Sequence, residues 1–182
     1  YDDFAFHLAS QLQNICLRSL IAELNAYKTK KMLKGQDAKE EYRYFCEEII
    51  GKPGFKKRLF EKYPVLCRCI GERMEYLEAY YIEIINYFEK DRAQIQSIAD
   101  RDNKICKIAN MSGGFADVHN QGRQVIRIQL DNGKEILYKP RSMENKQKYM
   151  RMLQWLSKKT GVSQYEYDFL SFSDHSWCSI VE

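Results

Sequence analysis

Residues 116–142 read ADVHNQGRQVIRIQLDNGKEILYKPRS. Within them Val125, Ile126, Ile128 and Leu130 have the β-rich, alternating character of a strand. Asp131-Asn132-Gly133 is a tight turn, and Glu135 to Lys139 returns as the antiparallel partner. Working outward, Lys104 to Asn110 suits an earlier strand, and Ser112-Gly113-Gly114 opens a flexible loop that runs through Gly122 and carries Asp117 and His119. On the other side, Met143 to Lys159 is a helix stopped at Gly161, with Met143, Met150, Leu153, Trp155 and Leu156 as its apolar residues. Two last strands, near Tyr165–Phe172 and Trp177–Glu182, flank the turn Ser173-Asp174-His175-Ser176. The predicted order is strand, glycine loop, strand, strand, helix, strand, strand, which makes a five-stranded antiparallel sheet with one helix.

The first hundred residues have a different period. Phe4, Leu8, Leu12, Ile15, Leu20 and Leu24 place a helix over 4–33, closed by Gly35. Asp37-Ala38-Lys39-Glu40 is a capping box, followed by Tyr42, Phe45, Cys46, Ile49 and Ile50 until Gly51-Lys52-Pro53-Gly54 ends the run. A further helix starts near Tyr63-Pro64, since proline suits a first turn. The longest helix is expected from about Glu72 to Ala99, where Tyr76, Leu77, Tyr80, Tyr81, Ile84, Ile85 and Phe88 trace one stripe that reads as core packing. The expected fold class is therefore α+β, a helical region over 1–100 followed by a sheet region over 101–182.

Bulk properties narrow the function. The chain has 182 residues, 45% hydrophobic and 30% charged, which is the composition of a folded globular protein. No apolar run approaches the roughly 20 residues of a transmembrane helix. The first residues, Tyr1-Asp2-Asp3-Phe4, are acidic where a signal peptide would be basic, so a cytoplasmic location is expected. The six cysteines contain no Cys-x-x-Cys pair, and no metal site is predicted. The net charge of +4 lies wholly in the second half: residues 101–182 hold 13 Lys/Arg against 9 Asp/Glu, while residues 1–100 hold 16 of each. Such an excess suits an anionic ligand such as a nucleotide; without a dense basic run it does not point to nucleic acid.

The order of elements resembles the small lobe of a kinase fold, in which the loop between the first two strands covers nucleotide phosphates and a lysine on the third strand reaches them. Counting strands puts Lys139 on the third. On this comparison Lys139 supplies a fixed positive charge, Gly113, Gly114, Gly122 and Arg123 belong to the nucleotide-covering loop, and Pro140 and Arg141 guide the chain off the sheet. The usual kinase motifs G-x-G-x-x-G-x-V and V-A-I-K are absent.

Two clusters sharpen the comparison. "DVHNQGR" contains Asp117, His119, Gly122 and Arg123, and "DNGKEILYKPRS" contains Tyr138, Lys139, Pro140, Arg141 and Ser142. Together they resemble the dehydratase domain of class II lanthipeptide synthetases, whose pattern runs approximately G-D-x-H-x-x-G-R, strand, turn, strand, Y-K-P-R-S. "YRYF", "KYPVLCRCIG" and "HSWCSIVE" extend the resemblance over the whole chain. It implies a lipid-kinase-like fold that uses ATP and Mg2+ (magnesium) to phosphorylate Ser and Thr of a precursor peptide, leader plus Ser/Thr-rich core, and then eliminates the phosphate to leave dehydroamino acids. Lys139 would serve phosphorylation, and Asp117 and His119 elimination. Elimination needs a proton taken from the peptide Cα and charge stabilised on the departing phosphate, and an imidazole can meet either need near neutral pH.

The sequence departs from the pattern in places. Ala116 stands where the family usually has glycine, and the only acid on the helix after the third strand is Glu144, in its first turn, where placement at a helix N-terminus accounts for it. No H-R-D-like or D-F-G-like segment occurs, so the catalytic base and metal ligands are expected on a large lobe outside these residues, in the remainder of a synthetase. The chain alone is expected to be inactive. The competing expectation is a non-catalytic module that binds a peptide or a partner protein.

Overall fold

A computed structural model describes residues 2–99, 107–113, 120–162 and 168–180. The chain divides into two compact units, 1–7 with 76–182, and 8–75. Helices α1 (Asp2–Thr29) and α4 (Pro64–Ala99) each contribute to both.

The unit 8–75 is helical. Asp37 caps α2 (Ala38–Tyr44) by accepting the Glu40 backbone N–H at 2.8 Å, which satisfies one of the helix's unpaired donors. The chain then continues as a π-helical turn, Phe45–Ile50, that buries Phe45 and Ile49. The expected break at Gly51–Gly54 is real but short, because Pro53 occupies the first turn of another helix, α3 (Pro53–Lys62). Phe45, Ile49, Phe55, Leu59 and Leu66 form the core of this unit. The two helices expected from 63 and from 72 are one 36-residue helix, since Gly71 does not interrupt α4.

The other unit is built on an antiparallel sheet of order β1-β2-β3-β5-β4, with β1 Ile108–Ser112, β2 Ile126–Leu130, β3 Glu135–Lys139, β4 Phe169–Ser171 and β5 Ser176–Ser179. The strand order along the chain is the predicted one, with bounds shifted. β1 runs past the expected end at Asn110 to take in Ser112, and β5 begins at Ser176 and ends at Ser179. The β2–β3 connection has the expected chemistry: Gly133, at φ +82°, donates to the Leu130 carbonyl at 2.9 Å.

Alternation decides what each face does. Ile126, Ile128, Leu130, Ile136, Tyr138 and Trp177 are buried on one face. α4 covers it with Tyr80 and Phe88, whose rings lie 6.1 Å from Tyr138 and 6.3 Å from Trp177. The stripe predicted on α4 is thus core at Leu77, Tyr80, Tyr81, Ile84 and Phe88, while Tyr76 and Ile85 are exposed. Helix α5 (Glu144–Thr160) leaves β3 through Pro140–Met143 and ends at Gly161, whose φ of +73° is the left-handed cap conformation.

Candidate functional site

Lys139 closes β3 opposite Ser176 of β5. Opposed residues of an antiparallel pair share a face, so Leu137, Lys139, Ser176 and Cys178 project away from the α4 side. The lysine lies beside the Cys178 thiol; burial pushes that thiol's pKa up and the ammonium pulls it back. Cys178 in turn reaches Met143 Sδ at 3.3 Å, which ties β5 to the start of α5. The segment after Lys139 is held as well: Ser176 Oγ donates to the Arg141 carbonyl at 2.8 Å, and the Met143 N–H donates to Ser171 Oγ at 2.8 Å. Glu144 pairs with Lys148 at 3.0 Å on its own helix, in keeping with its reading as a first-turn acid. A half-buried ammonium at a strand end can meet a phosphate. Among the described residues no group of three or more His, Cys, Asp or Glu is placed to hold a metal ion.

Two of the other candidates have structural partners. A Cβ on Gly113 would fall 2.5 Å from His7 Nδ1 and 2.7 Å from the Gln124 amide nitrogen. Glycine there makes room for the buried His7 ring. That ring accepts from the Gln124 side chain at Nε2 and bonds the Tyr81 hydroxyl through Nδ1 at 2.9 Å, and burial holds its pKa below the usual histidine value. After the left-handed pair Gln121 (φ +65°) and Gly122 (φ +102°), Arg123 donates through Nη1 and Nη2 to the two carboxylate oxygens of Glu83 at 2.7 and 2.5 Å. Its guanidinium also lies 5.5 Å from the Tyr80 ring centre. Tyr138 donates to Glu83 at 3.4 Å and Tyr80 to the Gln124 carbonyl at 2.5 Å, and burial pushes both phenol pKa values up. The residues on both sides of the loop are therefore anchored to α4 and the first turns of α1. Gly114, Asp117 and His119 lie outside the described residues.

Sequence reasoning missed these anchors, His7, Tyr80, Glu83 and Gln124, and it missed a second buried network. His175 is fully buried, with Nε2 2.6 Å from Asp91 and Nδ1 2.8 Å from Asp174. Trp177 donates to Asp91 at 2.9 Å and Tyr87 to Asp174 at 2.5 Å; hydrogen bonds from Tyr87 and His175 hold the Asp174 carboxyl at about 2. Phe172 and Tyr87 stack on the imidazole at 4.6 and 3.8 Å. One signal was available: Asp91 continues the apolar spacing of Ile84, Phe88 and Ile95 along α4, which places a carboxylate in the core. A cavity of about 700 Å³ opens elsewhere in this unit, between α4, Phe4 and β1, and none of the candidate residues lines it.

Residues 63–182 match the family described as Domain of unknown function (DUF4135), about two thirds of the chain, and the chain belongs to that family. It is also a distant homologue of the Lacticin 481/lactococcin biosynthesis protein LcnDR2 of Lactococcus lactis subsp. lactis, 24% identical over 182 residues. That match takes in 94% of this chain and 19% of the relative, so the chain spans about a fifth of the relative's length.

Proposed function

We propose that this chain is the helical region and kinase-like small lobe of a class II lanthipeptide synthetase dehydratase, acting in the cytoplasm with the remainder of the enzyme on a precursor peptide. One observation carries the reading: Lys139, the lysine of Tyr-Lys-Pro-Arg-Ser, ends the third strand of a β1-β2-β3-β5-β4 sheet, half-buried on the face away from α4, with the chain leading directly into α5. The distant relationship to a lacticin biosynthesis protein supports it. Lys139 would bind ATP phosphates and offset charge during transfer of the γ-phosphoryl to a Ser or Thr hydroxyl. Asp117 and His119 would serve the following elimination, in which a base takes the Cα proton, the Cα=Cβ bond forms, and the Cβ–O bond breaks with its electron pair leaving on phosphate.

A non-catalytic peptide- or partner-binding module is the second reading. It is favoured by the engagement of Arg123 with Glu83 and of Gly113 with His7, two loop residues whose partners are internal. The full-length protein and its own precursor peptide separate the two. Mass spectrometry after ATP treatment should find no phosphopeptide with Lys139→Ala and accumulated phosphopeptide with His119→Ala. Wild-type yields of dehydrated product from both variants would leave the module reading standing.

A further inference from the structure

Helix α5 buries one side and presents an unusual other. Met143 and Met150, seven residues apart, are buried. At 100° per residue, Lys148, Met152, Trp155 and Lys159 trace the opposite stripe, at i, i+4, i+7 and i+11. Within it Trp155 is 60% and Met152 51% exposed; Tyr149, 53% exposed, lies outside the stripe, about 120° round the helix from Trp155. Exposed aromatic and methionine side chains in one row mark a docking surface more than a solvated face does.

The charge says what would dock. α5 carries Lys146, Lys148, Arg151, Lys158 and Lys159 against Glu144 alone, a net of +4 that equals the net charge of the whole chain. The Glu144–Lys148 pair at 3.0 Å is an exposed i,i+4 contact, worth little in water and readily exchanged. Four of the five cations are lysines. Lysine is depleted from protein–protein interfaces, where arginine is preferred, whereas helices that lie in a membrane interface are rich in Lys and Arg and carry Trp among their apolar residues. Lys148 and Lys159 stand about 16 Å apart on the helix axis. Their long stems let the ammonium groups reach headgroup phosphates while Trp155 and Met152 enter the layer between them. No helix among the described residues is long and apolar enough to cross a bilayer, so the contact would be peripheral.

We propose that the outward stripe of α5 is a peripheral docking face for an anionic phospholipid surface. The proposal is independent of the catalytic reading above, because it asks nothing of Lys139, Asp117 or His119.

The test uses the full-length protein with vesicles of equal parts phosphatidylglycerol and phosphatidylcholine, and with phosphatidylcholine alone, in a flotation assay at low and high salt. The chain should float with the anionic vesicles only, and salt should release it. Of the tryptophans in this segment, Trp155 is exposed and Trp177 is wholly buried. A blue shift of emission on vesicle addition should therefore come from Trp155 and vanish in Trp155→Ser. Lys148→Glu with Lys159→Glu should weaken binding about tenfold or more. All three positions are surface ones, and unchanged thermal unfolding confirms that the variants fold. Failure to float with anionic vesicles, or flotation that survives these substitutions, overturns the proposal. Salt-sensitive flotation without the Trp155 shift also overturns it, because the contact would then not be made by the outward stripe of α5.

Discussion

At the scale of single residues, the polar side chains of the sheet unit divide by whether they have an internal partner. Among the described residues Lys139 faces the Cys178 thiol, whereas Arg123, His7, His175 and Asp91 are each held by charged or polar neighbours. Gly113 belongs with the second group, since its missing side chain is the space His7 fills. Gly113→Ala should cost about 1–3 kcal/mol through overpacking against the His7 ring, measurable by urea denaturation. Asp91→Ala should cost more, about 3–5 kcal/mol, because it strips the buried His175 and the Trp177 N–H of their shared acceptor in one change. A loss under 1 kcal/mol for Asp91→Ala would mean that water replaces the carboxylate. The Glu83–Arg123 pair is partly exposed, and its contribution to stability is correspondingly discounted to about 1 kcal/mol.

At the scale of elements, two glycines make opposite predictions. Gly71 lies inside α4 with open space where a Cβ would stand, so Gly71→Ala should raise stability by about 0.5–1 kcal/mol through helix propensity and loss of unfolded-state freedom. Gly133 closes the β2–β3 turn at φ +82°, so Gly133→Ala should lower it by about 1 kcal/mol although nothing obstructs the new methyl. Thermal melts of the pair distinguish backbone conformation from packing, since neither change meets a neighbour. The same contrast explains what could be read from sequence. The turn and the Gly161 cap need left-handed backbone and are visible as residue types. The continuity of α4 through Gly71, and the separate helix α3 after Pro53, depend on burial of Phe55, Leu59 and Leu66, which outweighs local breaking signals.

At the scale of the whole molecule, stability should fall in two steps on acidification. Burial holds the His7 pKa below its ordinary 6.5, so below that pH the unfolded chain takes up a proton that the folded chain resists, and stability declines. Asp174, held at about 2 against an ordinary 3.8 by Tyr87 and His175, contributes stability that is present above 3.8 and lost as the pH falls towards 2. Urea midpoints across the pH range should show both, and His7→Gln should remove the upper step alone. An unchanged upper step in that variant would assign it to another group. By itself the sequence determined the order of the strands with α5 between β3 and β4, the β2–β3 turn and the placement of Lys139 at the end of β3, because these follow from residue period and backbone preference over a few neighbours. Only the tertiary structure decided which polar groups are already paired: Glu83 stands 40 residues from Arg123 and Asp91 84 residues from His175, and no local pattern encodes a hydrogen bond closed across that much chain.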